Sequence, residues 1–124
     1  MQTLGTMSLS PFDPKGFLDL AKSLADNPGG GQAEYRSALS RAYYAVFLTA
    51  RESLVAQKII SPTMSPSDHP LVISALRAIN TTVGNQLDKL RTKRNRADYD
   101  LAAQVSQAEA QQTVGTAYYL ESKL

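Results

Sequence analysis

The stretch LRTKRNRADYD, residues 90–100, sets Arg94 beside Asn95 and puts Tyr99 five residues on, groups that could hold or polarise a phosphodiester. With Arg94 at zero and about 100° per helical residue, Asp98 falls near 40°, Arg91 near 60°, Asn95 near 100° and Tyr99 near 140°. One edge of a helix therefore collects Arg91, Arg94, Asn95, Asp98 and Tyr99. Lys93 and Arg96 point elsewhere and are expected to be solvated charges. A guanidinium is an always-charged planar fork, suited to a phosphate or to charge developing on one. The purely structural reading is also open: Arg94 snorkels over the core and pairs with Asp98 one turn on, in the weaker order with the cation first.

His69 is the only histidine. It precedes Pro70, where Ser67, Asp68 or His69 could cap a helix. The sharper reading folds residues 58–69 over the same cleft and brings His69 toward Arg94. Tyr43 and Tyr44 could stack on bases, but aromatic pairs on a long apolar helix more often pack a core. Arg36 and Arg41 read as solvated flanks of that helix.

The elements that must carry these groups are legible as helical periodicity. Asp13 and Pro14 suit an N-cap and first helical position, Phe12 and Phe17 suit a hydrophobic staple, and Phe17, Leu20, Ala21 and Leu24 form a stripe. NPGGG, residues 27–31, breaks the pattern; it lacks the Lys and Ser/Thr of a phosphate-binding loop, and no strand precedes it. From Gln32 to Gln57 there is neither Pro nor Gly, and Tyr35, Ala38, Leu39, Ala42, Tyr43, Val46, Ala50 and Leu54 recur at helical spacing. Tyr44, Phe47 and Leu48 widen that face, which predicts a central helix.

A proline-punctuated loop leads to a helix starting at Pro70, with Val72, Ile73, Leu76 and Ile79 on one face. Thr81, Thr82 and Gly84 predict a break or kink. Val83, Leu87, Leu90, Arg94, Ala97 and Leu101 continue in steps of four and three, so Arg94 stands in a core-facing register. A last helix over residues 106–122 carries Ala110, Val114, Ala117, Tyr118 and Glu121. No segment alternates as a strand. The expected fold is all-α, a single up-and-down bundle of four to five helices over residues 13–124, after an N-terminal tail over 1–12.

Composition narrows the chemistry. The 124 residues hold 13 Lys and Arg against 11 Asp and Glu, a net charge of +2, so any basic footprint is local. Five basic and three acidic residues between Leu87 and Asp100 match that whole excess. With no Cys and one His, thiolate catalysis and Cys- or His-rich metal sites are excluded, and no metal or cofactor is expected. No leader pattern or membrane-length apolar run is visible, which predicts a cytoplasmic protein.

Two patches, YRSALSRAYYAVFLTARESL at 35–54 and LRTKRNRADYDL at 90–101, together resemble the HEPN superfamily, most closely its small stand-alone prokaryotic members. The resemblance implies a five-helix bundle, a homodimer and an RNA or nucleotide ligand. It also implies a metal-independent endoribonuclease of toxin–antitoxin or defence type, restrained by a partner such as a nucleotidyltransferase-type antitoxin. Carried onto this chain, Arg94 takes the arginine position and Asn95 its polar neighbour, while Tyr99 stands where the family's histidine is expected. A free phenol, with a pKa of about 10, falls roughly a thousandfold short of a base at pH 7. Leu101 stands where some partners of such proteins modify a tyrosine. The candidate catalytic set is therefore Arg94, Tyr99 and Asn95, and the candidate nucleic-acid contacts are Arg91, Arg94, Asp98 and His69. The alternative is a catalytically inactive HEPN-like module for dimerisation or partner binding. A small-ligand bundle ranks last, because only Arg94 suggests a buried polar group.

Overall fold

The computed structural model describes residues 12–124, and among them every regular element is an α-helix. These are α1 (Lys15–Asp26), α2 (Gln32–Ala56), α3 (Asp68–Ile79), α4 (Thr81–Tyr99) and α5 (Gln107–Glu121). The expected tail over 1–12 lies, apart from Phe12, outside the described residues. No described helix is long and apolar enough to cross a membrane.

Helix α2 is the axis of the bundle. It packs against all four other helices, while α1 meets α5, and α4 meets α3 and α5. All eight residues of its apolar repeat, from Tyr35 to Leu54, are buried, together with Phe47. At its start Glu34 accepts a hydrogen bond from the Gly31 N–H at 2.7 Å, satisfying a donor that the helix itself leaves free.

The shorter helices correct the sequence reading in places. On α1 the staple forms, with the Phe12 and Phe17 rings 4.7 Å apart, and the Asp13 carboxylate accepts from the Lys15 N–H at 3.0 Å. Its core face is Leu18, Ala21 and Ala25, however, and Leu20 is exposed, a rotation that a short amphipathic run does not fix. Helix α3 starts at Asp68, not Pro70. There the buried Asp68 carboxylate accepts from the Thr63 and Met64 N–H groups at 2.8 and 2.9 Å and fastens the preceding loop. Ile79, expected in the core, is exposed at the α3 terminus.

The expected break falls at Asn80, which ends α3 and begins α4. Its backbone N–H bonds Leu76 at 2.7 Å and its side chain caps the Val83 N–H at 3.2 Å. Four residues later Gly84 lets α4 pass close to α3, because a Cβ there would lie 2.6 Å from the Arg77 backbone nitrogen. Arg77 then reaches Asn85 at 2.7 Å and Asp88 at 2.9 Å. The α4 core register holds for Val83, Leu87, Leu90, Arg94 and Ala97, but Leu101 lies beyond the helix end and is 87% exposed.

Arg36 explains that ending. Its guanidinium donates to the carbonyls of Ala97 at 3.0 Å and Asp100 at 2.9 Å, and also bonds those of Leu101 and Ala103. An arginine expected to be solvated is thus the clamp on the α4 C-terminus, where unpaired carbonyls attract positive charge. Gln32 completes the clamp by bonding both the N–H and the carbonyl of Val105, at 2.9 and 2.6 Å. Helix α5 then starts behind Ser106, whose hydroxyl caps the Glu109 N–H at 3.0 Å.

Candidate anion site at an aromatic block

Helices α2, α3 and α4 converge on one block of rings. Tyr43 is fully buried on α2, with Phe47 stacked 5.8 Å and Tyr44 edge-on 5.4 Å from it. His69, in the first turn of α3, stacks on Phe47 at 4.2 Å and on Tyr43 at 5.6 Å. From α4, Arg94 sets its guanidinium carbon 5.2 Å from the Tyr43 ring centre and 5.1 Å from that of Tyr44. The lone histidine and the core-register arginine therefore occupy the same aromatic platform.

Arg94 is only 6% exposed, yet it is poorly paired. Its nearest carboxylate, Asp98, is 3.8 Å away, and Asp98 also accepts from the Ser40 hydroxyl at 3.2 Å. The Arg94 Nε is buried with no hydrogen-bond partner among the described residues, and so is the Nε of Arg91 one turn earlier. Two guanidinium groups thus present unmet donors beside one loosely held carboxylate. A buried cation is stabilised when its donors are met, and these two Nε atoms have no acceptor among the described residues.

The charge field also acts on His69. Burial lowers its pKa below the ordinary histidine value, and the positive charges of Arg94 and Arg91 lower it further against the opposing pull of Asp68. Burial pushes the Tyr43 phenol well above its usual range, so it remains protonated. The Tyr43 oxygen lies 2.5 Å from His69 Nδ1. Because Tyr43 is fully buried and this is its one side-chain partner, donation from the hydroxyl to Nδ1 is the arrangement that leaves no buried donor unmet. Neutral His69 then carries its proton on Nε2 and can donate a hydrogen bond from there.

The remaining candidates scatter. Asn95 is exposed on α4, and Tyr99 is 74% exposed at the helix end, whereas Arg94 is buried. Arg41, expected to be solvated, lies over the rings of Phe17 and Tyr44 at 4.9 and 5.2 Å, so Tyr44 has two guanidinium neighbours. Lys93 and Arg96 are also not free charges: both reach Glu109 on α5, at 3.3 and 2.9 Å. An acidic residue at the start of the next helix is invisible to a wheel drawn on one helix.

Sequence reasoning also undervalued Tyr43 and Tyr44, whose spacing does announce burial but not which cation they receive. Among the described residues no three His, Asp or Glu side chains come close enough to hold a metal ion. No family model, curated protein or solved structure matches the chain.

Proposed function

We propose that the chain is a HEPN-fold RNA-binding protein of the small stand-alone kind, which holds an RNA phosphate at Arg91 and Arg94 without cutting it. The fold-family part of this reading rests on the resemblance of residues 35–54 and 90–101, together with the all-α bundle. The ligand part rests on one observation: two neighbouring arginines with buried, unpartnered Nε atoms beside a single carboxylate. A phosphodiester supplies the acceptor oxygens and the negative charge they lack, and His69 Nε2–H can add a third donor.

Absence of cutting follows from the proton inventory. Cleavage by the 2′-hydroxyl needs a base, but the lone pair of His69 on Nδ1 faces Tyr43, Tyr99 is exposed at the helix end, and the Asp98 carboxylate is held by the Ser40 hydroxyl at 3.2 Å and by Arg94 at 3.8 Å. The homodimer and the nucleotidyltransferase-type antitoxin partner belong to the same reading. A second reading, a partner-binding module, is favoured by Tyr99 and Leu101, both exposed on the turn that Arg36 clamps.

The test incubates single-stranded and structured RNA with the protein in EDTA, following binding by anisotropy and integrity on a gel. Intact RNA is expected to bind, and Arg94→Ala to weaken it about tenfold or more, the worth of a lost charge-assisted contact. Cleavage by the unmodified protein would overturn the non-cutting assignment. Binding indifferent to Arg94→Ala would overturn the site. The appearance of cleavage in Tyr99→His would locate the lost base at position 99.

A further inference from the structure

The opposite side of α4 faces a second set of unmet polar groups. Gln86, Lys89 and Lys93 point about 80–140° away from Arg94, on the side opposite Arg91 and Asn95. With Thr113 and Thr116 of α5 they line a groove of about 200 Å³. Thr113 is 2% exposed, and its hydroxyl has no hydrogen-bond partner among the described residues. A helical threonine ordinarily bonds back to the preceding turn when nothing else is offered. The Gln86 Oε1 is likewise buried and unpartnered. Gln86 and Thr113 line the same groove beside two ammonium groups, and each keeps one orphaned polar atom buried beneath its surface, one able to donate and one to accept.

We propose that this α4/α5 groove is a second binding site, specific for an anion that still carries an acid hydroxyl, namely hydrogen phosphate. The Thr113 hydroxyl donates to one phosphate oxygen, the phosphate O–H donates to Gln86 Oε1, and Lys89 and Lys93 neutralise the charge. Lys93 would give up its 3.3 Å contact with Glu109 to turn inward, and Glu109 stays paired because Arg96 holds it through both terminal nitrogens, at 2.9 and 3.2 Å. Sulfate has the same shape but no hydroxyl at neutral pH, so it leaves Gln86 unmet. The ligand is the free ion, because the terminal phosphate of a nucleotide, with a second pKa of about 6, has mostly lost that hydroxyl at neutral pH.

The experiment titrates the intact chain with inorganic phosphate, with sodium sulfate and with a nucleoside 5′-monophosphate, reading the backbone amide shifts of Gln112 and Thr116 by NMR. These reporters lie on α5, across α4 from Arg94, so their response is independent of whether RNA binds at the aromatic block. Saturable shifts with phosphate and not with sulfate are expected. Thr113→Val, which keeps the side-chain volume, and Lys89→Gln, which alters only an exposed position, should each weaken the response about tenfold. Weaker binding of the monophosphate, which mostly lacks that hydroxyl at neutral pH, is expected, and tighter binding of it than of the free ion would overturn the hydroxyl requirement. No saturable shift, an equal response to sulfate, or titrations unchanged in both variants would overturn the proposal.

Discussion

The Nδ1 atom of His69 lies 2.5 Å from the Tyr43 hydroxyl, and the same phenol ring carries the Arg94 guanidinium 5.2 Å from its centre. One tyrosine thus fixes the tautomer of the histidine and seats the cation that disfavours its protonation. Removing the hydroxyl with Tyr43→Phe should release that tautomer. Ring nitrogen shifts of His69 are expected to show mainly Nε2–H in the unmodified protein and a mixture in the variant. A mixture in both would refute the hydrogen-bond direction.

The pH dependence follows from the lowered His69 pKa. In the unfolded chain a histidine titrates near pH 6.5, and in the folded chain this one titrates lower, so between the two values the unfolded state binds more protons. The contribution is complete above the unfolded value and is lost as pH falls through the folded one. Urea denaturation at about pH 7.5 and about pH 5 should show lower stability in acid, with a smaller loss in His69→Gln. An equal loss in both proteins would assign the acid sensitivity to other groups.

At Arg94 the proposed phosphate contact is set against stability. Removing one partner of a buried ion pair strands the other charge, but the Asp98 side chain is 28% exposed, 3.8 Å from Arg94 and bonded to Ser40. It therefore stays solvated when an apolar side chain of similar length replaces Arg94, whereas truncation leaves a cavity. Arg94→Met should therefore keep or raise the denaturation midpoint while weakening RNA binding, and Arg94→Ala should lower both. It should also raise the His69 titration midpoint. A marked loss of stability in Arg94→Met would show that the guanidinium is a structural group.

Gly84→Ala pits intrinsic preference against contact. Alanine favours a helix interior by about 1 kcal/mol over glycine. Here, however, the added Cβ meets the Arg77 backbone nitrogen at 2.6 Å and its Cα at 2.8 Å. Backbone cannot swing aside as a side chain can, so a net destabilisation of about 1–3 kcal/mol is expected by chemical denaturation. A stabilised variant would rule out the close approach of α3 and α4.

Arg36→Ala removes the clamp on the end of α4. With several charge-assisted hydrogen bonds lost, destabilisation of about 1.5–3 kcal/mol and faster amide exchange over residues 97–105 are expected. Lysine should not restore it, because a single ammonium cannot span carbonyls that a planar fork reaches together.

The extent to which the sequence announced this molecule follows from the range of each interaction. The long apolar repeat of α2, the break at Asn80 and the core register of Arg94 depend on neighbours three or four residues away, and periodicity exposes them. The rotation of α1, by contrast, is decided by what α2 and α5 offer it, and the stripe through Leu20 was misjudged for that reason. Arg36, Lys93 and Arg96 find partners 13 to 67 residues away, a distance over which charge counting carries no information. His69 stands in the first turn of α3 and also stacks on the rings that Arg94 approaches, a proximity set by the packing of α3 on α2 and not by any local pattern.

The uneven attachment of α3 has a consequence for motion. Helix α2 touches every other helix and cannot separate without dissolving the core, whereas α3, which like α1 meets only two helices, makes the smallest contact with α2 and is preceded by a proline-rich loop. Opening events smaller than global unfolding should therefore begin with α3 and uncover the ring of Tyr43 and the side chain of Arg94 together. Hydrogen exchange in α3 would then proceed at a lower free-energy cost than in α2, and the rate at which an anion reaches Arg94 would be set by the breathing of a neighbouring helix.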